Sequence, residues 1–121
     1  MSVKKPRFAV LLEDCENGQH GNLTFVSYFL QNEDDTSLSN WNGEFLFKDG
    51  SSLSFTVKCS EQYPAEVPEI TFKKVPRCTS KIQFNRNTIN PVCQICKDWL
   101  NIDYNKRNLD ALFTLIHDNL K

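Results

Sequence analysis

The sequence predicts a single α+β domain: an N-terminal helix, a four-stranded antiparallel meander, a long irregular segment and a closing C-terminal helix. Three observations carry this. Between Trp41 and Cys59 apolar and polar residues alternate on either side of a turn, the period of half-buried strands. Apolar residues recur at helical spacing near both chain ends, and prolines at 64 and 68 turn the chain between the second and third of these patterns.

In chain order, Pro6 opens a stripe of Phe8, Leu11, Leu12 and Cys15 at i, i+3, i+4, i+7, and Asn17-Gly18 is expected to close it. A helix of about three turns is marginal alone and must be held by packing. Gln19 to Asn22 reads as a loop and Thr24 to Leu30 as a strand. With Val26, Tyr28 and Leu30 on the core side, Phe25 and Phe29 fall on the outer sheet face with Glu44, Leu46, Ser52 and Thr56. A mostly polar face with a few apolar residues suits a partner protein. Glu33-Asp34-Asp35 reads as a solvated loop.

Trp41, Gly43, Phe45 and Phe47 share one side of the next strand, and Leu53, Phe55, Val57 and Cys59 one side of its neighbour, joined by the Lys48-Asp49-Gly50-Ser51 turn. Tyr63-Pro64 and Val67-Pro68 bracket a corner where one X-Pro bond is a candidate for the cis form, and Ile70 to Phe72 follows as a strand. Lys73 to Asp103 shows no strong period, and unpatterned segments of that length are commonly functional. Leu109, Leu112, Phe113, Ile116 and Leu120 then repeat at helical spacing behind Asn108, a good N-cap.

A chain of 121 residues can bury one core without disulfides or metal. Its 14 basic and 15 acidic residues give a net charge of −1, which offers no basic face to nucleic acid or an anionic membrane. No apolar run nears the roughly 20 residues of a membrane span, and the start, Met1 to Arg7, lacks a signal-peptide core, so a soluble, intracellular protein is expected. Five cysteines, an odd number, are expected as reduced thiols. Cys93-Gln94-Ile95-Cys96 fits a redox pair or half a zinc site. A redox pair should open a helix in a βαβ unit and a zinc site needs a second Cys or His pair; the sequence shows neither context, so no metal or cofactor is expected.

Val3-Lys4-Lys5-Pro6-Arg7, Leu11-Leu12-Glu13-Asp14, Gly18-Gln19-His20-Gly21, Ser27-Tyr28, Trp41-Asn42-Gly43, Tyr63-Pro64, Pro68, Thr71-Phe72, Lys81-Ile82 and Asp98-Trp99 occur in an order that resembles the ubiquitin-conjugating enzyme variants. These are the catalytically silent relatives of the ubiquitin-conjugating enzymes. The resemblance implies their fold, without the two further C-terminal helices of active enzymes. It also implies a heterodimer with an active conjugating enzyme, non-covalent binding of an acceptor ubiquitin, polyubiquitin of the non-degradative sixty-three-type linkage, and a cytoplasmic and nuclear location.

Site residues follow from the same resemblance. Pro6, Arg7, Phe8 and Leu12 are expected to meet the active partner; the gapless match to the family's anchoring phenylalanine is Ala9, but Phe8 continues the helical stripe. Ser27, Glu44 and Ser52 match the acceptor-ubiquitin positions, and strand phasing independently puts all three outward. Active members carry His-Pro-Asn and a nucleophilic cysteine eight residues after that Asn. This chain has Gln83-Phe84-Asn85, with Cys93 eight residues beyond Asn85. Three readings stay open: a non-enzymatic subunit, an active enzyme with Cys93 as nucleophile and Asn85 as oxyanion donor, and a ubiquitin- or peptide-binding adaptor of the same fold.

Overall fold

The computed structural model describes residues 3–121; the first two residues of the expected 1–121 domain lie outside the described residues. The first helix, α1 (Arg7–His20), starts behind Pro6, whose carbonyl accepts from the Ala9 and Val10 amides at 3.0 and 3.3 Å. It runs past the expected stop at Asn17-Gly18. The left-handed residue that ends it is Gly21, at φ 63°, with its N–H on the Asn17 carbonyl. Gly18 serves close approach instead: a Cβ there would lie 2.8 Å from the Tyr28 carbonyl oxygen on the neighbouring strand. The buried face also differs from the expected stripe. It is Val10, Leu11 and Asp14, while Phe8 and Leu12 face solvent and Cys15 is half-buried.

Among the described residues six strands form one sheet in the order β1-β2-β3-β4-β6-β5, every neighbouring pair antiparallel. The meander is as expected: β1 (Val26–Leu30), β2 (Asn40–Leu46), β3 (Ser52–Lys58) and β4 (Glu69–Phe72). β1 starts two residues later than expected because Thr24 and Phe25 lie in a turn. Phe25 therefore escapes the strand alternation and, contrary to expectation, turns inward to stack on His117, ring centroids 4.1 Å apart.

The Tyr63–Pro64 bond is cis. The segment expected to be irregular contains a tiny hairpin, β5 (Phe84–Asn85) and β6 (Thr88–Ile89), and a two-turn helix, α2 (Gln94–Leu100), which buries Ile95, Cys96 and Trp99. Elements of two and seven residues are too short to display a period. The closing helix, α3 (Leu109–Asp118), matches the reading, Asn108 accepting from the Ala111 amide at 2.8 Å.

Leu109, Leu112, Phe113 and Ile116 of α3 are buried, and Phe113 lies 4.9 to 6.1 Å from the rings of Tyr28, Phe55 and Phe45. The core thus sits between the inner sheet face and the helices, with Trp41, Tyr63, Phe72 and Trp99 sealed in it. No described helix is long and apolar enough to cross a membrane.

One carboxylate joins three pieces of this core. Asp14 is fully buried; its Oδ2 accepts from the Tyr63 hydroxyl at 2.7 Å and its Oδ1 from the Leu109 amide at 2.9 Å, so α1 satisfies an open N–H of the first turn of α3. Burial, opposed by these two hydrogen bonds, raises its pKa from 3.8 to about 7. A neutral carboxyl can still accept from Leu109 and share its proton with Tyr63.

The linkage sign follows. The native state holds this proton where the unfolded chain has lost it, so the contribution is complete below about pH 4 and lost as pH rises through about 7. Asp14→Asn cannot ionise. Between pH 4.5 and 8.5 the stability difference between wild type and this variant, measured by urea unfolding, should swing by roughly 3 kcal/mol in the variant's favour. A pH-independent difference would show that Asp14 keeps one charge state throughout.

Candidate functional site

Three surfaces carry the residues singled out in the sequence. On α1, Phe8 is 53% exposed and Leu12, one turn further on, is exposed beside it. They form a small apolar patch flanked by the Lys5–Glu13 ion pair at 3.0 Å. Pro6 is exposed at the helix start. Arg7 is turned the other way. Its Nε donates to the Ser60 carbonyl at 2.9 Å and its Nη2 to Ser39 Oγ and the Cys59 carbonyl at 2.9 and 3.3 Å, strapping α1 to the chain around β2 and the proline corner. Phe8 and Leu12 are therefore free to meet a partner, while the donors of Arg7 are engaged inside the domain.

The second surface is the outer face of the sheet. Register brings Ser27 and Glu44 directly opposite each other and Ser54 opposite Glu44, in one row across β1, β2 and β3. Ser52 lies two residues along β3 from Ser54, about 7 Å away, opposite Leu46. Ser27 and Ser52 are exposed and Glu44 half-buried, so the outward phasing of all three holds. The adjoining row, Phe29, Asn42, Thr56 and Thr71, completes a shallow depression of about 410 Å³. Phe29, at 59% exposure, is the aromatic handle of this face and was not among the expected contact residues. Strand alternation carried the signal.

The third region surrounds Cys93. Asn85, on β5, lines an open groove of about 670 Å³ with Lys58, Pro68, Glu69, Arg86 and Pro91. Cys93 is not in its wall. Its side chain is 3% exposed and its Sγ donates to Cys96 Sγ at 3.6 Å. The structure thus does not bring the Asn85 amide and the Cys93 thiol together on an open surface. Burial pushes the thiols of Cys15, Cys59, Cys78 and Cys96 above the ordinary range, which keeps them protonated at neutral pH. Among the described residues no three His, Cys, Asp or Glu side chains are grouped to hold a metal ion.

The RWD domain model matches residues 7–120, nearly the whole chain. The chain belongs to the RWD domain family. Over 75 residues this RWD domain is 35% identical to the ubiquitin-conjugating enzyme variant MMS2 of Saccharomyces cerevisiae, a match covering 57% of the chain and 55% of that protein. It is 36% identical over 76 residues to the ubiquitin-conjugating enzyme spm2 of Schizosaccharomyces pombe, covering 58% of the chain and 55% of the relative. The matched regions thus span about half the length of these curated relatives. The structure of human ubiquitin-conjugating enzyme E2 G1 superposes with a TM-score of 0.66 at 14% identity, covering 95% of both chains. The RWD domain therefore has the ubiquitin-conjugating enzyme fold, and the likeness to the variants read from its sequence is borne out.

Arg7→Ala in this RWD domain should lower stability by about 1–3 kcal/mol, because it orphans carbonyls that a charged donor now satisfies. An unchanged urea midpoint would mean that the strap carries no load in solution.

Proposed function

We propose that this RWD domain is the non-catalytic subunit of a ubiquitin-conjugating heterodimer. It docks on an active conjugating enzyme through Phe8 and Leu12 and holds an acceptor ubiquitin on the outer sheet face around Ser27, Glu44 and Ser52. One acceptor lysine then meets the thioester on the partner, giving chains of the sixty-three-type linkage. The observation that carries this is the contrast between the open, polar outer face with its exposed Phe29 and the thiol of Cys93 closed into the core. The named relatives support the same reading. Its physical content is orientation: fixing nucleophile and thioester in reacting geometry removes an entropic barrier without a chemical group from this chain.

Glu44 places a carboxylate at the centre of the acceptor row, opposite Ser27 and Ser54. Basic side chains on a partner would complement it.

Incubation with activating enzyme, ATP, ubiquitin and a chain-building conjugating enzyme should yield di-ubiquitin only when both proteins are present, with no reducible ubiquitin adduct on this chain. Phe8→Ala should weaken the heterodimer at least tenfold, about 2 kcal/mol being a common loss for a buried aromatic anchor. A reducible adduct on this chain alone, abolished by Cys93→Ala, would make it an active enzyme. Ubiquitin or peptide binding with no stimulation by any conjugating partner would make it an adaptor.

A further inference from the structure

The Cys93-Gln94-Ile95-Cys96 segment lacked a helix-opening context in the sequence. The structure supplies the helix, though not a βαβ unit, since the sheet pairs are antiparallel: Cys93 occupies the N-cap position of α2, without a side-chain capping bond, and Cys96 lies within that helix. At i and i+3 the two side chains project to the same side, and their sulfurs are in contact at 3.6 Å. A disulfide bond is about 2 Å long, so roughly 1.6 Å must close, divided between two side chains. Cys78, by contrast, donates to the Ile82 carbonyl.

The covering of the pair is thin. Cys93 and Cys96 are 3% and 2% exposed, yet the turn above them carries Pro91 and Val92 on the surface, Val92 at 66% exposure. That turn is closed by two hydrogen bonds to Asn90, from the Cys93 amide to its carbonyl at 3.0 Å and from the Val92 amide to its Oδ1 at 3.1 Å, and the same carbonyl accepts from Cys96 Sγ at 3.6 Å. Uncovering both thiols requires local opening of residues 90–93, which breaks these bonds and also frees the Cys93 carbonyl from the Lys97 amide, 3.2 Å away in the first turn of α2.

We propose that Cys93 and Cys96 are a reversible redox site, closing to an intramolecular disulfide by exchange with a low-molecular-weight disulfide. Cys93 gives its proton to water and attacks one sulfur of the reagent, whose S–S bond breaks; one half leaves as a thiolate and takes a proton from water, and a mixed disulfide remains. Cys96 gives its proton to water and attacks Cys93 Sγ, expelling the second thiol. The protein loses two electrons and two protons, and the reagent gains them. Burial holds Cys96 in the thiol form, so the second step quickens as pH rises. The site stands independently of any heterodimer, because it uses only residues of this segment.

The test equilibrates the full chain in oxidised and reduced glutathione buffers at about pH 8.5, quenches in acid, and alkylates the denatured protein for intact-mass and peptide mapping. Expected is the loss of two alkylatable thiols of the five, a single cross-link between Cys93 and Cys96, and recovery by reductant. Cys93→Ser and Cys96→Ser should each abolish the intramolecular bond; both are small changes that circular dichroism can check for folding. Five free thiols in the fully oxidised buffer, a lasting glutathione adduct on either cysteine, or a cross-link through Cys78 instead would overturn the proposal.

Discussion

The fold depends most on one buried carboxyl group, which has no ion pair among the described residues. Asp14 brings together three parts of the chain that no strand ladder aligns: α1, the proline corner at Tyr63 and the start of α3. Leaving any of its partners unsatisfied inside the core would cost a desolvation penalty comparable to the net worth of several ordinary hydrogen bonds. A second phenol, Tyr28, ties β1 to α3 in a similar way, its hydroxyl donating to Asp110 Oδ1 at 2.6 Å. Polar contacts thus tie α1 to the proline corner and to α3, and α3 to β1, and the apolar core packs around them.

That arrangement uses up one face of everything. The inner sheet face and the inward sides of α1 and α3 are committed to the core, and the proposed docking would use what they expose. On α1 this is the pair Phe8 and Leu12; on the sheet it is the row through Ser27 and Glu44 and the neighbouring row through Phe29. The two surfaces belong to different elements, α1 and the sheet. Thiol chemistry, by contrast, has been drawn inward: the cysteines of α2 pack with Ile95 and Trp99.

Much of this was legible in the sequence. Period two gave β2 and β3 with their register-setting turn, and α3 with its Asn108 cap followed from helical spacing. The outer-face placement of Ser27, Glu44 and Ser52 needed only strand phase. The misreadings have physical causes. α1 carries apolar residues on both the buried and the exposed side, so Phe8 and Leu12 drew the stripe away from the true inward positions Val10 and Asp14; a carboxylate at a core position is invisible to a hydrophobic pattern. Gly18 imitated a helix stop because a glycine needed for close packing and one needed for a left-handed turn look alike in sequence. β5, β6 and α2 were too short for any period. The internal use of Arg7 depends on loops distant in sequence, which no local pattern encodes.

The most direct measurement is a titration of unlabelled ubiquitin into the isotopically labelled chain, followed by amide chemical shifts. If the outer sheet face holds an acceptor ubiquitin, shifts should concentrate on β1 and β2 around Ser27, Phe29 and Glu44 and be lost on Glu44→Lys, while Phe8 and Leu12 stay unperturbed until a conjugating enzyme is added. Shifts confined to the groove around Asn85 and Arg86, or none on the outer face at saturating ubiquitin, would contradict it.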